Sequence, residues 1–272
     1  MTALKVCFIM VLALAGSLGA GTGAEDLSPY FKDKRGAFVL YDLKNDRYLR
    51  YDEARCRTRF SPFSTFKIPN SLIGLESGVI RDAEFVIAWN RAKYPPQENW
   101  NIEPFVHWGQ DQTLSTAFKY SVVWYYRELA LRVGAERMKS FVARLDYGNR
   151  DTSGGLDRFW LGSSLRISAD EQVEFLKRLY AAKLPVSPRS LAIVRKLMIR
   201  EETPAYRLSG KTGGGSLPDG KALGWFVGYV ETKGNVYFFA TNLEGPDYLA
   251  IRDERIDLTK RILAGLGYLP KP

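Results

Sequence analysis

Three short clusters in this chain carry side chains able to form or break bonds, and their order matters more than any one of them. The first is Ser64-Thr65-Phe66-Lys67. On a helix, residues i and i+3 share a face, so Lys67 stands beside Ser64. A serine at a helix start also lies among unpaired backbone N–H groups and in the positive end of the helix dipole. That setting suits a nucleophile with an oxyanion site next to it. Taken alone, the plainer reading is a capping serine and a solvated lysine. The second cluster is Ser121-Val122-Val123, which offers a hydroxyl within an apolar helical pattern or, more plainly, a small core residue. The third is Lys211-Thr212-Gly213, followed by Gly214 and Gly215. A cation and a hydroxyl at a strand edge, with glycines that let the backbone come close, suit an anionic substrate. The plainer alternative is a strand end and a turn.

Composition removes competing chemistries. Among 272 residues there is one histidine, His107, and there are two cysteines, Cys7 and Cys56. A His/Cys zinc site, which takes about four such ligands, cannot readily be assembled. Two cysteines in a chain of this length make no disulfide framework. A Ser-His-Asp triad would have to run through His107. Other proton transfer must use Lys, Tyr, Asp or Glu. With 46% hydrophobic, 13% aromatic and 25% charged residues, the chain is globular rather than disordered. The net charge of +9 raises nucleic acid as a partner, but the cations are interleaved with acids and no binding motif accompanies them. A basic protein surface, without nucleic acid, is the expectation.

The elements that must hold these clusters follow from periodicity. Residues 37–43 and 47–51 read as a hairpin around Lys44-Asn45-Asp46. A helix is expected over 64–76, with Pro69 counting against its first turns. Residues 79–112 look irregular. A long helical pattern over 114–133 has room for an interruption near Ser121, and a further helix covers 135–145. Residues 147–162 look like a loop. Ser168 and Glu171 form a capping box for the next helix, and Ser187-Pro188 start another that runs to 198. Strands follow at 206–211, 222–231 and 235–243, and an amphipathic helix over 253–266 closes the chain. Pairing the terminal strands gives a central antiparallel sheet covered by the terminal helices. The middle helices are expected to form a second, mostly helical lobe with a cleft between the two, an α+β (α/β/α) sandwich.

Ser-x-x-Lys, a helical-lobe serine and Lys-Thr-Gly, in that order, mark penicillin-recognising serine enzymes. The chain resembles the class D (oxacillinase-type) β-lactamases over nearly its whole mature length. The resemblance rests on Ser64-Thr65-Phe66-Lys67, Ser121-x-Val123, Tyr147-Gly148-Asn149, Phe159-Trp160-Leu161-Gly162, Leu165-Arg166-Ile167-Ser168, Lys211-Thr212-Gly213 and Gly224-Trp225-Phe226-Val227-Gly228. It implies the penicilloyl serine transferase fold and a small β-lactam substrate attacked by Ser64. The backbone N–H groups of Ser64 and Gly214 would hold the oxyanion. It implies no metal and no organic cofactor, but a carbamate on Lys67 made from carbon dioxide or bicarbonate, which acts as general base. Trp160 would donate its indole N–H to that carbamate, Val123 and Leu161 would control water access, and Ser121 would relay a proton. Lys211, Thr212, Gly213 and an arginine would bind the substrate carboxylate. Arg252 and Arg255 are both candidates, and the Leu258 and Arg261-Ile262-Leu263 pattern favours Arg255. Gly214 departs from the bulkier residue common in the class. Tyr147 and Asn149 read as loop scaffold and His107 as packing, and Trp89, Trp100 and Trp108 either line the cleft or, the favoured reading, pack the second lobe.

Residues 1–24 read as a secretory signal. Lys5 precedes an apolar run over 6–18, small residues follow, and cleavage is expected after Ala24. The run is too short to span a ~30 Å membrane core comfortably, so no stable membrane anchor is expected. Removing it lowers the charge only from +9 to +8 and leaves Cys56 as the one cysteine. Residues 25–272 would then be one catalytic domain, exported to the periplasm. The competing expectations are a β-lactam sensor or a penicillin-binding protein that is acylated without turnover.

Overall fold

The computed structural model describes residues 25–271, so the expected leader and its cleavage point lie outside the described residues. Strands β1 (Gly36–Asp42) and β2 (Arg47–Tyr51) form the expected hairpin, with Val39 opposite Arg50. A short helix α1 (Glu53–Arg57) follows, capped by the Asp52 side chain. The serine–lysine segment is not one helix. Phe63–Phe66 is a single 3₁₀ turn, and α2 (Lys67–Glu76) starts only at the lysine. Pro69 therefore falls in the first turn of α2, where its missing N–H costs little.

The stretch taken as irregular contains a small pair, β3 (Val86–Ile87) and β4 (Gln112–Thr113). Helix α3 (Leu114–Lys119) opens with a Thr113/Thr116 capping box, and α4 (Val123–Val133) follows after a break at Ser121. Then come α5 (Ala135–Arg144), α6 (Ala169–Tyr180) behind its Ser168/Glu171 capping box, and α7 (Pro188–Met198). Helix α7 runs directly into β5 (Ile199–Glu202), an edge strand too short and too charged to stand out from its sequence. Strands β6 (Tyr206–Ser216), β7 (Ala222–Thr232) and β8 (Val236–Gly245) complete the sheet. The chain closes with α8 (Tyr248–Arg252) and α9 (Glu254–Gly265).

The sheet is antiparallel with six strands in the order β2-β1-β8-β7-β6-β5. Its central strands are apolar on both faces, so their burial is continuous rather than alternating. One face, with Phe38, Leu40, Phe226, Val230 and Phe239, packs on Leu258, Ile262 and Leu263 of α9. The other, with Ala37, Val39, Trp225, Val227 and Phe238, belongs to the larger core that includes Val173, Leu176 and Leu179 of α6. Helix α6 thus covers the sheet, although its place in the sequence put it among the helices apart from it. Its apolar stripe was legible, but the surface it meets was not.

A buried ion pair ties α1 to the sheet. Arg55 Nη1 lies 2.7 Å from Glu244 Oε1, and its Nε donates to Asn242 Oδ1 at 2.7 Å, with both charged side chains 6% exposed. Removing Arg55 leaves the buried Glu244 carboxylate with only the longer, 3.5 Å contact from the exposed Arg35. Arg55→Ala is therefore expected to destabilise the fold by about 3–5 kcal/mol, which denaturant unfolding would measure. A loss below about 1 kcal/mol would mean that the pair behaves as a surface contact.

Candidate active site

The Ser64 turn is held from several sides. Phe63, just before it, has φ +47°, a conformation seldom adopted by a bulky residue, and its N–H donates to Trp160 O at 3.0 Å. Ser61 Oγ donates to the same carbonyl at 2.8 Å, and the Trp225 indole donates to Ser61 O at 3.0 Å. Gln172 of α6 donates to Thr65 Oγ1 at 2.8 Å, and the Tyr147 hydroxyl donates to Gln172 Oε1 at 3.3 Å. Asn149 clamps the loop behind them, donating to Ser164 O and accepting from Arg166 N, both at 2.9 Å. Tyr147 and Asn149 thus bond within this support and not to the cavity.

Lys67 Nζ stands 2.7 Å from Ser64 Oγ. The lysine is fully buried. Phe66 stacks on Trp160 with ring centroids 5.3 Å apart, and the Lys67 amine lies 5.2 Å from the centre of the Tyr126 ring. Burial in this apolar setting, with no opposing carboxylate, pushes the Lys67 amine down to about 7. A large fraction is then neutral at physiological pH.

Ser121 sits at the break between α3 and α4 with φ +57°. Such a backbone persists only where the surroundings over-determine it. Here the Trp108 indole donates to Tyr120 O at 3.0 Å, and Lys211 Nζ donates to Ser121 Oγ at 2.9 Å. Lys211 is buried, and that burial, then the charges of Lys67, Arg200 and Arg255, hold its amine well below the usual lysine range.

Strand β6 extends past Lys211 to Ser216 and crosses the serine turn closely. A Cβ at Gly213 would lie 2.7 Å from Pro62 O and 3.1 Å from Thr65 N, so only glycine allows the approach. Thr212, half-buried, precedes it on the strand. The resulting cavity, about 270 Å³, is lined by Ser64, Ser121, Val123, Gly213, Gly214 and Arg255, among others, and no carboxylate lines it. Arg255 is buried and its Nη1 donates to Gly213 O at 2.5 Å. Arg252 instead pairs with Asp253 at 2.7 Å outside the cavity. Trp160, Leu161, Lys67, Lys211 and Thr212, expected at the site, do not line this cavity.

The sequence had no signal for Asn99, Pro104, Phe105 or Tyr248, which also line the cavity. Trp108, expected as packing, both lines the cavity and holds the Ser121 break. His107 is elsewhere, stacked on Tyr120 at 3.8 Å. A wider cavity of about 950 Å³ lies behind Lys211, but neither Ser64 nor Ser121 opens into it. Among the described residues no cluster of His, Cys, Asp and Glu could hold a metal ion.

A serine paired to a buried lysine, a second serine paired to a second lysine, and a cleft lined by Arg255 and by no acid define a class of penicillin-recognising folds. Consistent with this, the family model for the penicillin-binding-protein transpeptidase domain matches residues 36–264. The sequence is 39% identical over 266 residues, 93% of this chain and 95% of the relative, to "Probable beta-lactamase YbxI" of Bacillus subtilis (strain 168). It is 40% identical over 238 residues to β-lactamase OXA-48 of Klebsiella pneumoniae, covering 87% of this chain and 85% of that one. The class D β-lactamase YbXI from Nostoc superposes with a TM-score of 0.81 at 40% identity, covering 90% of this chain and 99% of that structure. The chain belongs to the class D β-lactamases. It is a β-lactam hydrolase by kinship, and the penicillin-binding and β-lactamase fold expected from the sequence is the one observed.

Proposed function

We propose that Ser64 opens the β-lactam ring of penicillin-type antibiotics through an acyl-enzyme, that Lys67 supplies the base, and that the protein is exported through residues 1–24 to act in the periplasm as a resistance enzyme. The observation that carries the mechanism is the 2.7 Å contact between Ser64 Oγ and a fully buried Lys67 amine. As Ser64 Oγ attacks the ring carbonyl, its proton passes to the Lys67 side. The carbonyl oxygen, now negative, accepts from the backbone N–H groups of Ser64 and Gly214, which line one cavity. The C–N bond then breaks, the leaving nitrogen takes a proton from Ser121, and Lys211 replenishes Ser121 across their 2.9 Å contact. Lys67 gives up the Ser64 proton and Lys211 regains one by exchange with solvent. The Lys67 side then takes a proton from the water that attacks the ester carbonyl and returns it to Ser64 Oγ as the ester C–O bond breaks. Arg255, Thr212 and Lys211 attract the substrate carboxylate. Val123 lines the path by which water reaches the acyl group, and Leu161 stands behind it.

The Lys67 environment fits a carbamate: about half of the amine is neutral near pH 7, and it is enclosed by aromatic rings and free of acidic neighbours that would keep it charged. A carbamate on Nζ supplies a carboxylate-type general base where the chain has no Asp, Glu or His. Below pH 7 the amine is protonated and can neither accept a proton nor combine with carbon dioxide. Turnover of a chromogenic cephalosporin should therefore fall on the acid side with an apparent pKa of about 7. It should also fall in bicarbonate-free buffer and return on adding bicarbonate. Indifference to bicarbonate across the pH range would rule out the carbamate.

A further inference from the structure

We propose that Tyr248 is a positioning residue for Arg255 and the wall that closes the carboxylate end of the cleft, in the space that Gly214 leaves open. This rests on the hydrolase reading, and on the departure at Gly214 in particular. Where a side chain at 214 would stand, the structure already holds something. A Cβ there would lie 2.6 Å from Arg255 Nη1 and 3.1 Å from Tyr248 Cε2. The bulk missing from β6 is therefore supplied by α8, on the next turn of chain after β8. The guanidinium of Arg255 lies over the Tyr248 ring, 5.5 Å from its centre, while Nη1 donates to Gly213 O at 2.5 Å. Its Nε is buried with no hydrogen-bond partner among the described residues.

These contacts fix the guanidinium from two sides. The carbonyl of Gly213 sets its position along the strand, and the Tyr248 ring sets its tilt. On its outer side Tyr248 meets Phe105, with ring centroids 5.7 Å apart, and Phe105 meets Trp108 at 5.0 Å. The three rings form one continuous wall of the same cavity that holds Ser64. Tyr248 thus connects the carboxylate anchor to the rim formed by the segment before α3. An anionic group bound at Arg255 would meet a cation held in place before it arrives, which lowers the cost of binding.

The role predicts a particular kinetic signature. Tyr248→Ala should raise KM for a penicillin about 10-fold, the size of one partly desolvated cation–π contact, with kcat changed by less than about 3-fold. Tyr248→Phe, which keeps the ring under the guanidinium, should recover most of the KM lost in Tyr248→Ala. The methyl ester of the same penicillin, which has no carboxylate to anchor, should show no KM difference between parent and Tyr248→Ala. Gly214→Ala should raise KM in the same way by pushing on Arg255. Combined with Tyr248→Ala it should add less than the product of the two single effects, because the sites share one partner. Equal KM effects on acid and ester, or a fall in kcat at constant KM, would overturn the proposal. Absence of turnover in the parent enzyme would instead count against the hydrolase reading and is recognised separately.

Discussion

Lys67→Ala is expected to lose about a thousand-fold or more in turnover, at the upper part of the range for removing a positioned general base. The loss should be lopsided. Ser64 remains in the 3₁₀ turn before α2 with its backbone donors intact, so a β-lactam can still enter and acylate slowly, and hydrolysis of the ester should suffer most. Adding bicarbonate should rescue nothing, because no amine remains to combine with carbon dioxide. The fold should hold or gain in stability, since a buried amine without an ionic partner is removed. A Lys67→Ala protein that turned over at the parent rate would refute the assignment of the base.

Ser64→Ala should cost more, about a million-fold in kcat, since no covalent route is left. The two variants differ in a way that assigns the roles. Lys67→Ala should become labelled by substrate and remain so, whereas Ser64→Ala should bind substrate without any covalent adduct. Intact-protein mass measurement separates them. An adduct on Ser64→Ala would place the nucleophile elsewhere.

The serine–lysine neighbourhood was legible although the helix expected there was not formed. The reason is geometric. In a 3₁₀ turn residues i and i+3 eclipse, so Ser64 and Lys67 meet as they would on an α-helix. The break near Ser121 was legible too, because a polar residue interrupts an apolar pattern. Its positive φ was not, since that comes from the distant Trp108 and Lys211 contacts. The central strands of the sheet were visible from their composition, whereas β5 is short and charged and exists because β6 pairs with it. The residues after the two arginines favoured Arg255 over Arg252, three positions earlier, without giving a physical reason. Burial separates them: Arg255 faces the cavity, and Arg252 turns outward to Asp253. Tyr248 carried no local signal at all, because its importance depends on a glycine in β6, on the other side of the β7–β8 hairpin. The single histidine left Lys, Tyr, Asp or Glu for proton transfer, and the buried 2.7 Å contact with Ser64, beside a cleft lined by no acid, favours Lys67 among them.

The central claim is that the acyl group on Ser64 is formed and then released with the help of Lys67. Time-resolved mass measurement of the parent protein mixed with an excess of a penicillin, in bicarbonate buffer at neutral pH, tests it most directly. Many equivalents of hydrolysed product are expected, with a transient adduct on Ser64 at most and unmodified protein at the end. A single equivalent of product, with the adduct persisting on the parent protein, would contradict it and mark the chain as one that is acylated without turnover.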